Sequence, residues 1–227
     1  MYIKELNISA DQILREEAEM EILEELAKDK ISSNLVFYGG TALRLAYDSP
    51  RFSEDVDLLN ISSLNFSGFK NFIQKVAKTR KNWKIVDLKD KRNTFFAIFN
   101  VRDEKLKHNF SVKVEAHKPA GKVNLKTELK IIKSPVSINQ PLLLVPRLTE
   151  LKRLKEDALI GRKKARDIFD LWYIAQVLRE ILILPNDLPN FTKREFSNEL
   201  QVFLPKKYYP IIKELYERIN QSNKKNS

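Results

Sequence analysis

The chain has 227 residues, 43% of them hydrophobic and 31% charged, so it is long enough to bury a substantial core. The sequence has no cysteine for disulfides or thiolate metal sites, no apolar run of membrane-spanning length and no signal-peptide core, which predicts a cytoplasmic protein away from the membrane. The excess of 41 Lys and Arg over 30 Asp and Glu gives a net charge of +11, which fits a polyanionic partner such as RNA and equally a lysine-rich solvated surface.

The first predicted element is a helix from Asp11 to Lys30. Its apolar residues recur with helical spacing and form a broad stripe that consists of Ile13, Leu14, Ala18, Ile22, Leu23, Leu26 and Ala27. The opposite face is acidic and carries Glu16, Glu17, Glu19, Glu21, Glu24 and Glu25. Because this sign opposes the net charge of the chain, we interpret the acidic face as solvated and not as a nucleic-acid surface.

A short apolar run from Leu35 to Tyr38 ends at two glycines, Gly39 and Gly40, and Thr41 then opens a segment with helical spacing. This pattern predicts a strand, a glycine turn and a helix. Glycines allow a positive φ and let a ligand approach the main chain, and the free N–H groups of a helix start favour an anion. Phosphate is therefore the expected ligand.

Two aspartates follow in the stretch RFSEDVDLL. On a strand, Asp55 and Asp57 share one face, while the residues between and after them point into the core. Adjacent carboxylates repel each other, and Mg²⁺ (or Mn²⁺) suits the place between them because it binds carboxylates together with substrate phosphates. Ser53 either contacts the phosphate or caps the turn after Pro50. A phosphate cradle followed by a metal-binding Asp pair is the minimum equipment for phosphoryl or nucleotidyl transfer.

The middle of the chain predicts one helix, with Phe69, Phe72, Ile73 and Val76 at helical spacing, and three strands at residues 83–88, 94–101 and 110–116. In the last strand Glu115 and Lys113 share the polar face, so Glu115 either joins a site or pairs with that lysine. His117 lies at the strand end and His108 in a turn. Without cysteine or paired histidines, neither predicts a zinc site.

Prolines at 135, 141 and 146 predict a hinge, which divides the chain into a core of residues 1–140 and a helical region of residues 141–227. Helices are expected at 148–158, 165–179, 193–203 and 208–219. Trp172 is interpreted as core, whereas Tyr208 and Tyr209 either pack in the core or stack on bases.

Charged residues cluster in the segment KEDALIGRKKARDIFDL of the helical region. Lys155 borders an apolar seam, from which a lysine can reach a cleft and pair with a triphosphate. Asp167 and Asp170 face the same way on one helix. Asp170 would hold Lys155 or assist the attacking group, and Asp167 would fix Arg162 or Arg166. The alternative is a charged, solvated helix face.

Both segments resemble one known family. The order of hydrophobic strand, Gly-Gly-Thr, helix and Ser-x-Asp-x-Asp-Leu looks like the nucleotidyltransferase superfamily whose fold is shared with DNA polymerase β. Within it, RFSEDVDL resembles the AbiEii-type nucleotidyltransferase toxins. The downstream segment is similar to that family's K-x-x-A-L-x-x-R-x-x-x-R-D-x-x-D-L pattern, so that the resemblance covers residues 36–172.

The resemblance implies an α/β (α+β) fold with a mixed sheet in a polymerase-β-like core, followed by a helical region that packs on the core and completes the active site. The implied catalytic residues are Asp55, Asp57, Lys155 and Asp170. The implied nucleotide-binding residues are Gly39, Gly40, Thr41, Ser53 and Lys155. The implied metal ligands are Asp55, Asp57 and a third carboxylate, for which we take Glu115, and the implied supporting residues are Arg162, Arg166 and Asp167.

The function that this resemblance implies is Mg²⁺-dependent transfer of a nucleoside monophosphate from a nucleoside triphosphate to a tRNA-like RNA acceptor. Such a protein would be the toxin of a toxin–antitoxin system, with a cognate antitoxin as partner. Two alternatives stay open from the sequence. The first is a non-catalytic nucleic-acid-binding or interaction module on the same fold, and the second is a nucleotidyltransferase that acts on protein or on a small molecule.

Overall fold

A computed structural model describes residues 8–119, 121, 123–185, 188 and 190–225. The chain divides into two compact units. The sheet unit consists of Ser9–Asp48 and Phe52–Arg147, and the helical unit contains Ile8, Ser49–Arg51 and the described part of residues 148–227. The boundary between the units therefore lies after Arg147, seven residues beyond the boundary predicted from the prolines. That the helical region completes an active site stays a prediction.

The sheet unit contains seven strands and three α-helices among its described residues. The strands are β1 (Leu35–Tyr38), β2 (Asp55–Asn60), β3 (Trp83–Lys91), β4 (Thr94–Val101), β5 (Phe110–His117), β6 (Thr127–Ile131) and β7 (Leu142–Pro146). The helices are α1 (Ala10–Ala27), α2 (Gly39–Tyr47) and α3 (Phe66–Lys78), with a 3₁₀ helix at Lys30–Asn34. The helical unit contains α4 (Leu148–Arg162), α5 (Ala165–Leu178), α6 (Lys193–Phe203), a 3₁₀ helix at Lys206–Tyr208 and α7 (Tyr209–Lys225).

Five strands form one mixed sheet in the order β1-β2-β5-β4-β3. The central pair β2 and β5 is parallel, and the other neighbouring pairs are antiparallel. Helix α1 contacts β5, and α3 contacts β3 and β4. This arrangement confirms the predicted α/β class with a mixed sheet.

The alternation of β2 and β5 determines which side chains enter the core. Val56, Leu58, Val112 and Val114 are fully buried, whereas the charged residues between them are only half-buried. Burying these aliphatic side chains stabilises the register, because a slip of one residue would move every one of them to the opposite face. The same register fixes which polar side chains meet on the other face.

The acidic face predicted for α1 is not uniformly solvated. Glu16 and Glu19 are each only 1% exposed. Glu16 accepts hydrogen bonds from Arg44 and from the hydroxyl of Ser134, which satisfies its charge. Burial and the neighbouring Glu16 raise the pKa of Glu19 well above its ordinary value. The prediction was wrong for these two residues, and for Glu16 the reason is that Arg44 on α2 and Ser134 contact its carboxylate.

A strand pair that the sequence did not predict lies on the two sides of Pro135 and Pro141. β6 and β7 form a separate antiparallel two-stranded sheet, in which Leu142 lies opposite Ile131. Pro146 is the last residue of β7, where a missing N–H costs no ladder hydrogen bond. The Tyr47 hydroxyl is within hydrogen-bonding distance of Glu128, 2.8 Å away, and of the Pro146 carbonyl, which joins α2 to this pair.

The helical unit has its own apolar core. Its members include Ile168, Phe169, Phe196, Leu200 and Leu215, each at most 1% exposed. Trp172, Tyr208 and Tyr209 are partly buried and pack against this core, which agrees with the interpretation of Trp172. Helix α6 begins at a capping box between Thr192 and Glu195. None of the helices in the described part of the chain is long and apolar enough to span a bilayer.

Candidate active site

Three carboxylates lie on the polar face of the parallel pair β2 and β5. Asp57 lies directly opposite Glu115, and Asp55 lies opposite Lys113. Because side chains with the same parity project from the same face of a strand, all four stand together on one side of the sheet. The local sequence supplies the alternation, and the parallel register brings the two strands into line.

Gly39 places the start of α2 against Asp57. Its φ is +85°, a region that favours glycine, and a Cβ at this position would overlap the Oδ2 atom of Asp57 and lie 3.0 Å from its Cβ. Helix α2 begins at Gly39 itself, two residues earlier than the sequence predicted. The first N–H groups of the helix, which have no partner inside the helix, therefore lie next to the carboxylate face.

The other predicted nucleotide-binding residues, Gly40, Thr41 and Ser53, lie in the first turn of α2 and just before β2. Gly40 and Thr41 are buried in the first turn of α2. The Thr41 hydroxyl donates a 2.5 Å hydrogen bond to the backbone carbonyl of Asp55, so that it ties the start of α2 to the start of β2. Ser53 precedes β2 by two residues, which means that the strand does not extend to it. Direct phosphate contacts from these residues stay predictions.

Lys113 lies between two of the carboxylates. Its Nζ atom is 3.0 Å from Oδ2 of Asp55 and 2.9 Å from Oε2 of Glu115. Burial disfavours the charged lysine, but the hydrogen bond to Glu115 and the charge of Asp55 outweigh it, and the pKa of Lys113 is raised. The pairing of Glu115 with Lys113 was one of the two alternatives drawn from the sequence. Lys113 thus neutralises part of the repulsion that the sequence assigned to a metal ion.

His117 also belongs to this face. Its Nε2 atom lies 4.0 Å from Oδ1 of Asp57, and its Nδ1 atom lies 3.3 Å from the hydroxyl of Thr94 on the neighbouring strand β4. Burial lowers the pKa of His117, and the opposing charge of Glu115 does not compensate for it. The ring is therefore neutral near pH 7, with a nitrogen lone pair available.

Asp57, Glu115 and His117 form a group that fits a divalent cation. Each offers one ligand atom, and these atoms all lie within 4.8 Å of one another. Two ligands of one Mg²⁺ or Mn²⁺ ion are at most about 4.2 Å apart, so small side-chain rotations bring all three onto one ion. Predicted metal ligands Asp57 and Glu115 are members of this group. Asp55 is not a member, although Lys113 contacts it as closely as it contacts Glu115, and His117 is a member that the sequence did not predict.

The predicted residues of the helical unit form a separate buried network. Lys155 and Asp170 are 4% and 0% exposed, and the Nζ atom of Lys155 lies 2.6 Å from Oδ2 of Asp170. Arg51 makes a bidentate contact with the same carboxylate at 2.6 and 2.7 Å. Burial disfavours the charged carboxylate, but Arg51 and Lys155 outweigh it and lower the pKa of Asp170. Asp170 thus holds Lys155, one of the two roles predicted for it.

Asp167 completes this network. It accepts two hydrogen bonds from the Arg162 guanidinium, at 2.7 and 2.8 Å, and lies 3.4 Å from Nζ of Lys155. Of the two predicted partners, Asp167 therefore pairs with Arg162, while the Arg166 guanidinium lies 6.0 Å from the ring centre of Phe203. The ammonium group of Lys155 contacts Asp167 and Asp170. Its contact with a triphosphate stays a prediction.

Arg51 and His117 are the residues that sequence reasoning missed. Arg51 lies inside the RFSEDVDL motif, but its partner Asp170 is 119 residues away, so no local pattern could pair them. For His117 a signal was present. Continuing the alternation of β5 by one step places it on the face of Lys113 and Glu115.

Two solved structures show the same fold. The JHP933 protein of Helicobacter pylori is 17% identical, with a TM-score of 0.57 and coverage of 97% of this chain and 100% of that chain. The nucleotidyltransferase toxin MenT4 of Mycobacterium tuberculosis is 20% identical, with a TM-score of 0.56 and coverage of 85% of this chain and 64% of that one. No curated protein sequence matches this chain.

The family comparison extends over most of the sequence. Residues 21–214 match the model of the family described as nucleotidyl transferase AbiEii toxin of type IV toxin–antitoxin systems. This range includes β1, α2, β2 and the Lys155 segment, which are the parts that carried the resemblance in the sequence. The chain therefore belongs to the AbiEii family of nucleotidyltransferase toxins.

Proposed function

We propose that the protein is a divalent-metal-dependent nucleotidyltransferase that moves a nucleoside monophosphate from a nucleoside triphosphate to RNA. Membership of the AbiEii family supports transferase activity in general and argues against a non-catalytic binding module. The observation that carries the proposal is the carboxylate face beside the N-terminus of α2, where Asp57 and Glu115 lie opposite each other and Gly39 brings the start of the helix close to Asp57.

The proposed reaction is an in-line displacement. An acceptor oxygen attacks the α-phosphorus, the bond from this phosphorus to the bridging oxygen of the β-phosphate breaks, and pyrophosphate leaves. A divalent cation, Mg²⁺ or Mn²⁺, would be held by Asp57 and Glu115 and would supply charge neutralisation for the triphosphate. The N–H groups at the start of α2 would orient the phosphates, and Asp55 with Lys113 would lie beside the attacking group.

RNA is the acceptor that the charge favours. The excess of 41 basic over 30 acidic residues gives a net charge of +11, which attracts a polyanion and increases its rate of encounter. A tRNA-like acceptor follows from the resemblance to the family. We further propose that the protein is a toxin with a cognate antitoxin, because the family belongs to toxin–antitoxin systems.

The proposal is tested by transfer of label from each of the four α-³²P nucleoside triphosphates to total cellular RNA or protein, with Mg²⁺ or Mn²⁺. Asp57→Asn removes one metal ligand, and Asp90→Asn on β3 is a matched control because its side chain is 48% exposed and pairs with Lys118. We expect label on RNA with wild type and with Asp90→Asn, and none with Asp57→Asn.

Other outcomes would change the proposal in defined ways. Label on protein would keep the chemistry and overturn the RNA acceptor. Equal labelling by wild type and Asp57→Asn would place the chemistry elsewhere. Absence of label from every nucleotide, together with no nucleotide binding by calorimetry, would overturn nucleotidyl transfer.

A further inference from the structure

We propose that His117 is a nitrogen ligand of the cation on the carboxylate face, and that this ligand makes the site prefer a transition-metal ion such as Mn²⁺ to Mg²⁺. The inference rests on the proposed function in one respect, namely that Asp57 and Glu115 bind a divalent cation. It adds a ligand that lies outside the predicted set of carboxylates and names the class of metal.

The first argument is the position of the ring. His117 ends β5 on the same face as Glu115, and its Nε2 atom approaches Oδ1 of Asp57 to 4.0 Å. The ligand atoms of Asp57, Glu115 and His117 all lie within 4.8 Å of one another. One cation can therefore contact two carboxylates and one imidazole, which leaves its remaining coordination positions for water and phosphate oxygens.

The second argument is the orientation of the ring. Thr94 lies opposite His117 in the β4–β5 register, and its hydroxyl is 3.3 Å from Nδ1. When Nδ1 carries the ring proton, it donates to Thr94 and leaves the lone pair of Nε2 directed at Asp57. Tyr38 packs edge-on against the same ring, with 5.9 Å between the ring centres. Such supporting contacts fix the tautomer and rotamer of metal-binding histidines.

The third argument is the distribution of charge. Lys113 lies 3.0 Å from Asp55 and 2.9 Å from Glu115, so it already neutralises part of the charge of both carboxylates. Asp57, Glu115 and His117 each offer a ligand atom within 4.8 Å of the other two, and one of these three atoms is a nitrogen. Mg²⁺ takes oxygen ligands, whereas first-row transition ions accept imidazole nitrogen as well.

The test uses Mn²⁺ as the probe, because an electron spin echo shows ¹⁴N modulation when an imidazole nitrogen binds this ion directly. The chain has only two histidines, so the full-length protein without a histidine tag gives an unambiguous assignment. The variants are His117→Gln and, as a matched control, His108→Gln, whose exposed ring contacts Asp11 at 3.1 Å. The signal of free Mn²⁺ in continuous-wave electron spin resonance spectra gives the affinity of each variant for Mn²⁺.

We expect ¹⁴N modulation in wild type and His108→Gln, and its loss in His117→Gln. The same substitution should weaken Mn²⁺ binding by about tenfold or more and change Mg²⁺ affinity by less than about threefold. Bound Mn²⁺ without ¹⁴N modulation in wild type would overturn the inference whatever the variants do, while leaving a carboxylate metal site intact.

A failure of the proposed function has a different signature. If Asp57→Asn binds Mn²⁺ as tightly as wild type, Asp57 is not a ligand of the bound ion, and both the proposed function and this inference are overturned. If ¹⁴N modulation depends on His117 but no nucleotide is transferred to any acceptor, the metal site stands and the transferase assignment does not.

Discussion

The two units treat their charged side chains in opposite ways. On the sheet unit, the side chains of Asp55, Asp57 and Glu115 are 32%, 25% and 17% exposed, and Lys113 neutralises part of the charge of Asp55 and Glu115. In the helical unit, Asp167 and Asp170 are fully buried and are surrounded by cations. The first arrangement leaves oxygen atoms for a ligand, whereas the second uses its oxygen atoms within the protein.

This difference separates binding from stability. Removing a carboxylate from the sheet face relieves repulsion and leaves no unpaired buried charge, so its cost should appear in activity. Removing Asp170 takes a shared buried counter-ion from Arg51 and Lys155, and the loss of one member of a buried ion pair is strongly destabilising. Asp57 and Asp170, which the family resemblance both marked as catalytic, can therefore have different physical roles.

The largest expected effect concerns Asp57. Asp57→Asn should lower the rate of nucleotidyl transfer by about 10³-fold or more, because a bound cation contributes several kcal/mol to charge neutralisation. The melting temperature should stay within about 2 °C of wild type, since the side chain is half-buried and its loss removes like-charge repulsion. Single-turnover rates and calorimetric melting on the same preparation check both parts. A large loss of stability would contradict the distinction between the two units.

Asp170 should show the reverse pattern. Asp170→Asn should reduce the free energy of unfolding by about 3–5 kcal/mol, because Arg51 and Lys155 then lose a shared buried counter-ion. Urea unfolding measures this change. Asp157→Asn is the control, since that carboxylate is 66% exposed on α4 and its loss should cost no more than about 0.5 kcal/mol. Equal stability of the two variants would remove the argument that the network is structural.

A stability effect is also expected at Gly39 in the sheet unit. Gly39→Ala should cost about 1–3 kcal/mol, because the residue has a φ of +85° and its new Cβ would overlap Asp57. Gly161→Ala is the matched control. Its Cβ would meet nothing within 4 Å inside α4, so this substitution should stabilise the protein by about 0.5–1 kcal/mol. Chemical unfolding of both variants measures the contrast, which fails if both substitutions change stability in the same direction.

The smallest expected effect is the pH dependence that Asp170 contributes. Its pKa in the folded state lies below the ordinary value of 3.8, so the unfolded chain takes up the proton first as pH falls. The stabilisation is complete above pH 3.8 and is lost as pH falls toward the folded pKa. The stability difference between wild type and Asp170→Asn should therefore be constant from pH 7 to about pH 5 and shrink below pH 4. Unfolding curves at each pH check this, and a difference that grows on acidification would contradict it.

Local patterns predicted much of the fold because they depend on neighbours in the chain. Alternation predicted which residues of β2 and β5 enter the core, and helical spacing predicted α3, α5 and α6 closely. The same patterns failed where distant segments decide burial. The helix pattern alone predicted Glu16 to be solvated, yet Arg44 and Ser134 cover it. Likewise, β6 and β7 pair across ten intervening residues that include Pro135 and Pro141.

The sequence by itself determined the family, the alternation of Asp55 and Asp57, and the need for glycine at position 39, because motif order and backbone preference are local properties. Only the tertiary structure decided that His117 faces Asp57, that Lys113 neutralises Asp55, and that Arg51 meets Asp170. These contacts depend on strand register and on packing between segments far apart in the chain. Their energies come from burial and charge proximity, which exist only once the chain is folded.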